Sequence, residues 1–552
     1  MLNTLNPVLI SKQGPHEFRR LIQRFFLHLG EEVFSIDGPG DRGADLILIN
    51  SVNIKTVFQI KWKKNIGQSP SRNIINELKE ALYEYSAHKS IAITNTNFTL
   101  EVQNYCSKDN YLEAWNLQTI NSIAINSNGK FKYKMVSSPL REYQKKAYKR
   151  VIKDLYSKKK SLLYLATGLG KTKVATKIIK IYLRKNKNIK ILILAHMNDL
   201  LEQLQKSVWR EIDFKVQTQL VNSLNKPQDL NGITFASDKS IIPYFENGYE
   251  PDLIIIDECH HVGFDNNYSE IIRMNPKTPL LGVTATPWRG DKYNIEEIFG
   301  EPSFSCNLTE GMKLGYLAPI NYKLFQDNIN WDAIPEMSEN SYSIRELNKK
   351  LFIPQRDSKI LDELNQTWKN VYNPKCIIFC QSIEHCNQLI KEVKKFKQWE
   401  NSTILHSKLS KFDRVQSLIN FQQEKCNLLL AVDILNEGID VPNVNIICFA
   451  RVTHSRKIFI QQLGRGLRIY KNKEFVVVLD FVADVRRLAA ISDIEAKIGS
   501  SNSEILSKEI NTIDFKDMKA EGFINEWIKD ISDLEDYKDE ARLNFPHYLD
   551  NQ

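Results

Sequence analysis

Ala166-Thr167-Gly168-Leu169-Gly170-Lys171-Thr172 follows the apolar run Leu163-Tyr164-Leu165 and leads into the helical pattern VATKIIKIYL. A strand, a glycine turn and a helix start form a cradle for phosphates. Glycines let backbone N–H groups point inward, the lysine reaches the β and γ oxygens, and the hydroxyl sits on Mg²⁺. Gly168, Gly170, Lys171 and Thr172 are therefore candidate ATP ligands, and Thr172 also a metal ligand. Leu165 stands where the general pattern has its first glycine, which leaves an ordinary glycine turn as the competing reading. Downstream, the strand pattern Leu253-Ile254-Ile255-Ile256 delivers Asp257-Glu258-Cys259-His260. Two adjacent carboxylates beyond a buried strand are costly unless a cation or a water uses them. Asp257 is the expected Mg²⁺ ligand, and Glu258 the group that orients or deprotonates the attacking water.

A second constellation lies near the N-terminus. Gly14-Pro15-His16-Glu17 opens an amphipathic helix with Phe18, Leu21, Ile22, Phe25 and Leu29 on one face. Then come Gly38-Pro39-Gly40-Asp41-Arg42-Gly43-Ala44-Asp45, the strand LILIN and the strand Thr56–Trp62. The period of two puts Gln59 and Lys61 on one face and Phe58, Ile60 and Trp62 on the other. An acid at one strand end beside a polar ligand and a lysine suits metal-dependent phosphodiester cleavage. Asp45 and the Gln59 carbonyl would hold Mg²⁺, Lys61 would steady the water or the developing phosphorane charge, and Glu17 would add a ligand or an outer contact.

The elements that must position these residues are α/β throughout. Residues 1–130 form a compact α/β block. Residues 137–322 alternate apolar strands (LLYLA, ILILA, LIIID, LLGVTAT) with helical segments, and 350–490 repeat the rhythm (CIIFC, NLLLAV, IICFA, FVVVLDF). That alternation predicts two doubly wound parallel sheets. Residues 500–552 read as a short acidic helical tail, with Phe523, Trp527, Ile528 and Ile531 at helical spacing. The chain of 552 residues has a net charge of +9. Residues 501–552 hold 13 Asp and Glu against 6 Lys and Arg, so the remainder sums to +16, which suits a polyanionic partner. No apolar run approaches the roughly 18 residues of a membrane span, and no signal-peptide pattern opens the chain. The eight cysteines include no C-x-x-C pair. Cys376, Cys380 and Cys386 read as buried thiols, and a reducing cytoplasm is the expected setting.

The ordered motifs resemble those of superfamily 2 helicases of the restriction-enzyme and DNA-repair kind. Arg141-Glu142-Tyr143-Gln144 resembles their adenine-reading segment, which implies that Arg141 and Gln144 bind the cofactor. Thr284-Ala285-Thr286-Pro287 resembles the coupling motif, and Asp433–Asp440 followed by Val441-Pro442 resembles motif V. Gln461-Gln462-Leu463-Gly464-Arg465-Gly466-Leu467-Arg468 is similar to motif VI, which implies that Arg465 and Arg468 meet γ-phosphate charge from the opposite RecA-like domain, Arg468 first. Segments at Ala195-His196, Gln381-Ser382 and Leu405-His406-Ser407 fall where family members line the nucleic-acid track. The N-terminal block resembles PD-(D/E)xK nucleases of the Mrr-like branch, carrying G-x-G-D-x-G-x-D followed by Q-x-K; Gln59 replaces the acid of the wider superfamily.

Together the resemblances imply an ATP-dependent helicase or translocase on DNA, with duplex DNA the expected partner, fused to a Mg²⁺-dependent endonuclease in a restriction or antiviral system; the nuclease resemblance favours DNA over RNA. No N-P-P-[YF], D-P-P-[YF] or F-x-G-x-G methyltransferase signature is present. Two alternatives stand beside this reading: a repair helicase whose N-terminal domain docks DNA without cutting, and a motor subunit of a multi-protein defence complex.

Overall fold

The computed structural model describes residues 10–12, 14–36, 42–50, 53–124, 139–186, 188–285, 294–325, 340–343, 346, 357–380, 382–432, 441–450, 463–464, 466–481, 506–511 and 542–544. Helix α1 (Pro15–His28) begins with proline after Gly14, a position that needs no N–H donor. Its Phe18, Ile22 and Phe25 are buried, and Leu21 and Leu29 pack on the core from its edge. The helix covers a five-stranded sheet in sequential order: β1 (Glu32–Ser35), β2 (Leu46–Ile49), β3 (Lys55–Lys61), β4 (Lys89–Thr94) and β5 (Leu112–Trp115). The pairs β1–β2 and β2–β3 are antiparallel, while β3–β4 and β4–β5 are parallel. Helix α2 (Ile74–Glu84) makes the crossover from β3 to β4.

After α3 (Glu142–Ser157), a seven-stranded sheet is built from β6 (Lys160–Leu165), β7 (Ile191–Leu194), β8 (Thr218–Val221), β9 (Ile233–Ala236), β10 (Leu253–Asp257), β11 (Leu280–Thr284) and β12 (Pro302–Cys306). Its order is β12-β6-β11-β10-β7-β9-β8, with every pairing parallel. Alternate residues feed two different cores: Ile191, Ile193, Leu253 and Ile255 enter one, and Leu192, Leu194, Ile254 and Ile256 the other. A sheet buried on both faces needs continuous apolar strands, which is why ILIL and LIII show no polar alternation. Because the chain order reverses between β6 and β7, the tips of β6, β11 and β10 share one edge. Helix α4 (Lys171–Lys185) follows β6, and α5 (Asn198–Trp209) follows β7.

A second parallel seven-stranded sheet runs β16-β17-β15-β18-β19-β13-β20. Its strands are β13 (Ile320–Phe325), β15 (Cys376–Cys380), β16 (Thr403–Leu405), β17 (Leu428–Ala431), β18 (Ile446–Ala450), β19 (Val476–Asp480) and β20 (Leu506–Asn511). A short antiparallel pair joins β14 (Ser341–Ser343) to β21 (Arg542–Asn544). The three cysteines Cys376, Cys380 and Cys386 are buried, and β15 feeds both faces: Ile377 and Phe379 to one core, Cys376 and Ile378 to the other.

Two expectations change. The sequence reading runs the first motor block to residue 322, but β13 pairs with β19 and β20 of the second sheet. An apolar strand pattern cannot say which sheet will accept it. The tail read as helical contributes strands wherever it is described, β20 and β21. The helical spacing at Phe523, Trp527, Ile528 and Ile531 lies outside the described residues.

The N-terminal domain touches both of the lobes built on seven-stranded sheets. Arg24 and His28 of α1 reach the first. Tyr85 packs edge-on against Phe412 of the second, on helix α6 (Lys411–Gln422), with ring centroids 4.8 Å apart, and Arg42 lies 4.4 Å over the same Phe412 ring.

Candidate active sites

In the motor, β6 ends at buried Leu165 and the chain turns through Gly168 (φ +88°) and Gly170 (φ +82°) into α4. Leu165 points into the core, which explains why an apolar residue fits where the general motif has glycine. Gly168 is required on two counts. Its φ is left-handed, and a Cβ there would meet Gly464 O at 3.0 Å and Arg468 Cγ at 3.3 Å. The phosphate turn of one lobe and the Gly464–Arg468 segment of the other are therefore in direct contact. Arg468 also bridges to Leu317, and Leu467 O accepts the Ala318 N–H at 2.7 Å. Arg465 lies outside the described residues, as do Thr286, Pro287, Gln381, Asp433–Asp440, Gln461 and Gln462.

Lys171 Nζ meets Glu258 Oε1 at 2.6 Å, with both side chains largely buried. Glu258 Oε2 lies 3.3 Å from His260 Nδ1, and that nitrogen lies 2.9 Å from Thr284 Oγ1 at the end of β11. Burial alone would raise the Glu258 carboxyl pKa; the Lys171 charge and His260 outweigh it and hold the group well below the usual carboxylate range. Glu258 also sits at φ +48°, strained for a residue with a Cβ. Asp257 closes β10 and Thr172 is the second residue of α4, so the strand order brings both to the cradle's edge. His260 and His261 rings lie 4.3 Å apart, and His261 lies 4.1 Å from half-buried His196. This imidazole row runs from Glu258 to a segment expected on the nucleic-acid track.

Gln144 is placed differently from a free base reader. It is buried; its Oε1 accepts the Arg141 N–H at 3.0 Å and its Nε2 donates to Leu169 O at 2.9 Å. Tyr143 Oη donates to the same carbonyl at 2.6 Å. Here the segment braces the phosphate turn from behind. Arg141 donates to Tyr316 O at 3.2 Å and lies 5.3 Å over the Tyr316 ring.

In the N-terminal domain, Asp45 stands one residue before β2, and extending the β2–β3 register puts it directly across from Gln59. Directly opposed residues share a face. Asp45 Oδ2 accepts the Ile60 N–H at 2.6 Å, and Oδ1 lies 3.0 Å from Arg19 Nε on α1. Gln59 is buried and its Oε1 has no hydrogen-bond partner among the described residues. Lys61 pairs with Glu77 of α2 at 2.6 Å. Gly43 (φ +79°) is pressed on α2, where a Cβ would meet Glu77 O at 2.6 Å. Glu17 faces Arg20 at 3.9 Å, and its Oε1 is buried with no hydrogen-bond partner among the described residues.

Sequence reasoning missed Arg19 and Glu77. The only available signal for either was a charge on a helix packed over the sheet. No group of three or more His, Cys, Asp or Glu side chains able to hold a metal exists among the described residues. The donors that fit a hard cation are the Asp45 carboxylate and the orphaned Gln59 amide oxygen, an oxygen set that would be completed by water and phosphate.

Three family models match the chain in order. Residues 10–124 match the Restriction endonuclease model, 137–289 the Type III restriction enzyme, res subunit model, and 356–470 the Helicase conserved C-terminal domain model. The chain thus carries, in order, a restriction endonuclease domain, a domain of the Type III restriction enzyme res-subunit kind and a helicase C-terminal domain. It is 25% identical over 384 residues to the Type I restriction enzyme EcoAI endonuclease subunit of Escherichia coli, across 62% of this chain and 46% of that protein. It is 26% identical over 317 residues to the 51.5 kDa protein of a Lactococcus phage (isolate 7-9), across 57% of this chain and 64% of that protein. The chain thus spans less than two thirds of either relative. Among solved structures, the ATP-dependent Type ISP restriction-modification enzyme LlaBIII bound to DNA superposes with a TM-score of 0.53 at 13% identity, covering 95% of this chain and 41% of that one. That likeness concerns the fold. No described helix is long and apolar enough to cross a membrane.

Proposed function

We propose that this chain is an ATP-driven translocase on duplex DNA that delivers its substrate to a Mg²⁺-dependent endonuclease site in its own N-terminal domain, in restriction or antiviral defence in the cytoplasm. The observation that carries the reading is the pairing of two constellations in one chain: Lys171–Glu258 at the phosphate turn, and Asp45 opposite Gln59 beside Lys61.

In the motor, Lys171 and Glu258 are each other's counter-ions. Lys171 would hold a nucleotide's β and γ oxygens, and Glu258, freed from it, would gain basicity toward that of a group able to take a proton from water. Asp257 and Thr172 would hold Mg²⁺ on the same phosphates, and Arg465 and Arg468 would add positive charge from the second lobe. Since Gly464 and Arg468 already contact Gly168, hydrolysis at this turn acts directly on the lobe interface. His260, joined to both Glu258 and Thr284, carries the state of the carboxylate to the end of β11.

In the nuclease domain, Asp45 and Gln59 would hold the cation, which supplies charge neutralisation at the scissile phosphate. Lys61 would orient the attacking water, and Glu77 fixes the Lys61 side chain for that role. Glu17 would support the site from α1. Target choice would lie with partner chains of a multi-protein defence complex or with modified or unusual DNA. The ion pair between Asp45 and Arg19 favours a second reading, a docking domain that does not cut. The test is plasmid cleavage by wild type and Asp45→Ala with ATP hydrolysis followed in parallel. The proposal expects the variant to hydrolyse ATP without cutting; full cutting by Asp45→Ala would remove the nuclease assignment.

A further inference from the structure

Helix α1 bears on two sites at once. Toward its start, Arg19 lies against Asp45. Further along, Arg24 donates through Nη1 to Val216 O at 2.7 Å and through Nη2 to Asp213 O at 2.8 Å, both in the segment between α5 and β8 of the first motor lobe. Its guanidinium lies 5.9 Å over the Trp209 ring and 5.1 Å over Phe214, and Arg20 lies 5.8 Å over Trp209. His28 Nε2 meets Ile212 O at 3.0 Å, and its ring packs edge-on against Phe214. Charged hydrogen bonds and a buried aromatic seat fix the helix to the motor. The helix is one uninterrupted run of 14 residues, so that seat also fixes Arg19.

The Asp45 carboxylate is engaged at both oxygens: Oδ2 accepts the Ile60 N–H, and Oδ1 lies 3.0 Å from the Arg19 Nε in an ion pair. With Gln59 neutral, Asp45 is the one anionic donor of the proposed cation pair, and Arg19 cancels its charge. We infer that Arg19 is a built-in competitor for the divalent cation at Asp45, held in place by the docking of α1 on the first motor lobe. This rests on the reading of Asp45 and Gln59 as a cation site. The apparent cation affinity is then the intrinsic one reduced by the fraction of time Asp45 is free of Arg19, and movement of the Trp209–Val216 segment changes that fraction.

The probe is Mn²⁺ binding to the full-length, nucleotide-free chain, followed by the electron paramagnetic resonance of free Mn²⁺. Each variant is compared with its own Asp45→Asn counterpart, so that only the Asp45-dependent site is counted. Arg19→Gln should bind Mn²⁺ on the order of tenfold tighter, Arg19→Lys by an intermediate factor, and Arg24→Gln, remote from Asp45, by roughly threefold. Thermal melting confirms that each variant is folded. Binding by Arg19→Gln or folded Arg24→Gln no tighter than wild type overturns the inference while leaving the cation site standing. Absence of any Asp45-dependent Mn²⁺ binding, in wild type and variants alike, overturns the inference and the cation-site reading together.

Discussion

The two carboxylates at the centre of the account are held in opposite ways. Glu258 is paired within its own domain, by a lysine two strands away and a histidine two residues on, all on a single sheet edge. Asp45 is paired by an arginine from a helix that is itself fastened to another domain. The first arrangement makes a site whose state is set by what binds at the phosphate turn. The second makes a site whose state depends on how a neighbouring domain is docked. A motor that must turn over continuously suits the first, and a nuclease that must stay silent until engaged suits the second.

The comparison can be broken first at the motor. Lys171→Ala should lower DNA-stimulated ATP hydrolysis by roughly a thousandfold. It should also destabilise the first lobe by about 3 kcal/mol at neutral pH, because it strands a buried carboxylate. The sign follows from the lowered Glu258 pKa. The pair's stabilisation is present above the unfolded carboxylate's pKa and is lost as pH falls through the lower folded value. Melting of wild type and variant at pH 7 and at pH 3 checks this, and the gap between them should narrow in acid.

His260→Ala sharpens the same half. It removes the link from Glu258 to Thr284 and should cost about tenfold in the stimulation of ATP hydrolysis by DNA. Equal stimulation in variant and wild type would show that the link carries no signal. On the nuclease side, Glu77→Gln removes the charge that fixes Lys61, which is about one-third exposed. Cleavage should fall by about threefold to tenfold in a plasmid assay, and rescue by Glu77→Asp would argue for positioning by charge.

The smallest effect concerns neither site. Burial of Lys375, against the Phe421 ring, brings its pKa down to about 8. The folded state therefore resists the proton that the unfolded chain keeps up to its ordinary value, so the penalty is present below pH 8 and fades toward pH 10. Lys375→Met should raise the melting temperature at pH 7 by an amount worth about 1–2 kcal/mol, and by less at pH 10.

What was legible in the sequence was local. The phosphate turn could be read because strand, turn and helix are contiguous, and Gln59 and Lys61 because a period of two puts them on one face. Arg19 could not, because its meeting with Asp45 depends on how a helix lies across a sheet 26 residues on. Gln144 was legible as belonging to the nucleotide end of the motor, but its bonds to Arg141 and Leu169 depend on the angle at which α3 meets the turn. The home of β13 was beyond reach for a related reason: both sheets are parallel and either could take the strand, and only assembly decides between them.

The most direct test of the central claim is cleavage of covalently closed plasmid with Mg²⁺ present, comparing wild type with ATP, wild type without ATP, and Lys171→Ala with ATP. The account predicts cutting in the first reaction alone. Cutting by Lys171→Ala at the wild-type rate would contradict it, since the nuclease site would then work without the motor to which the chain joins it.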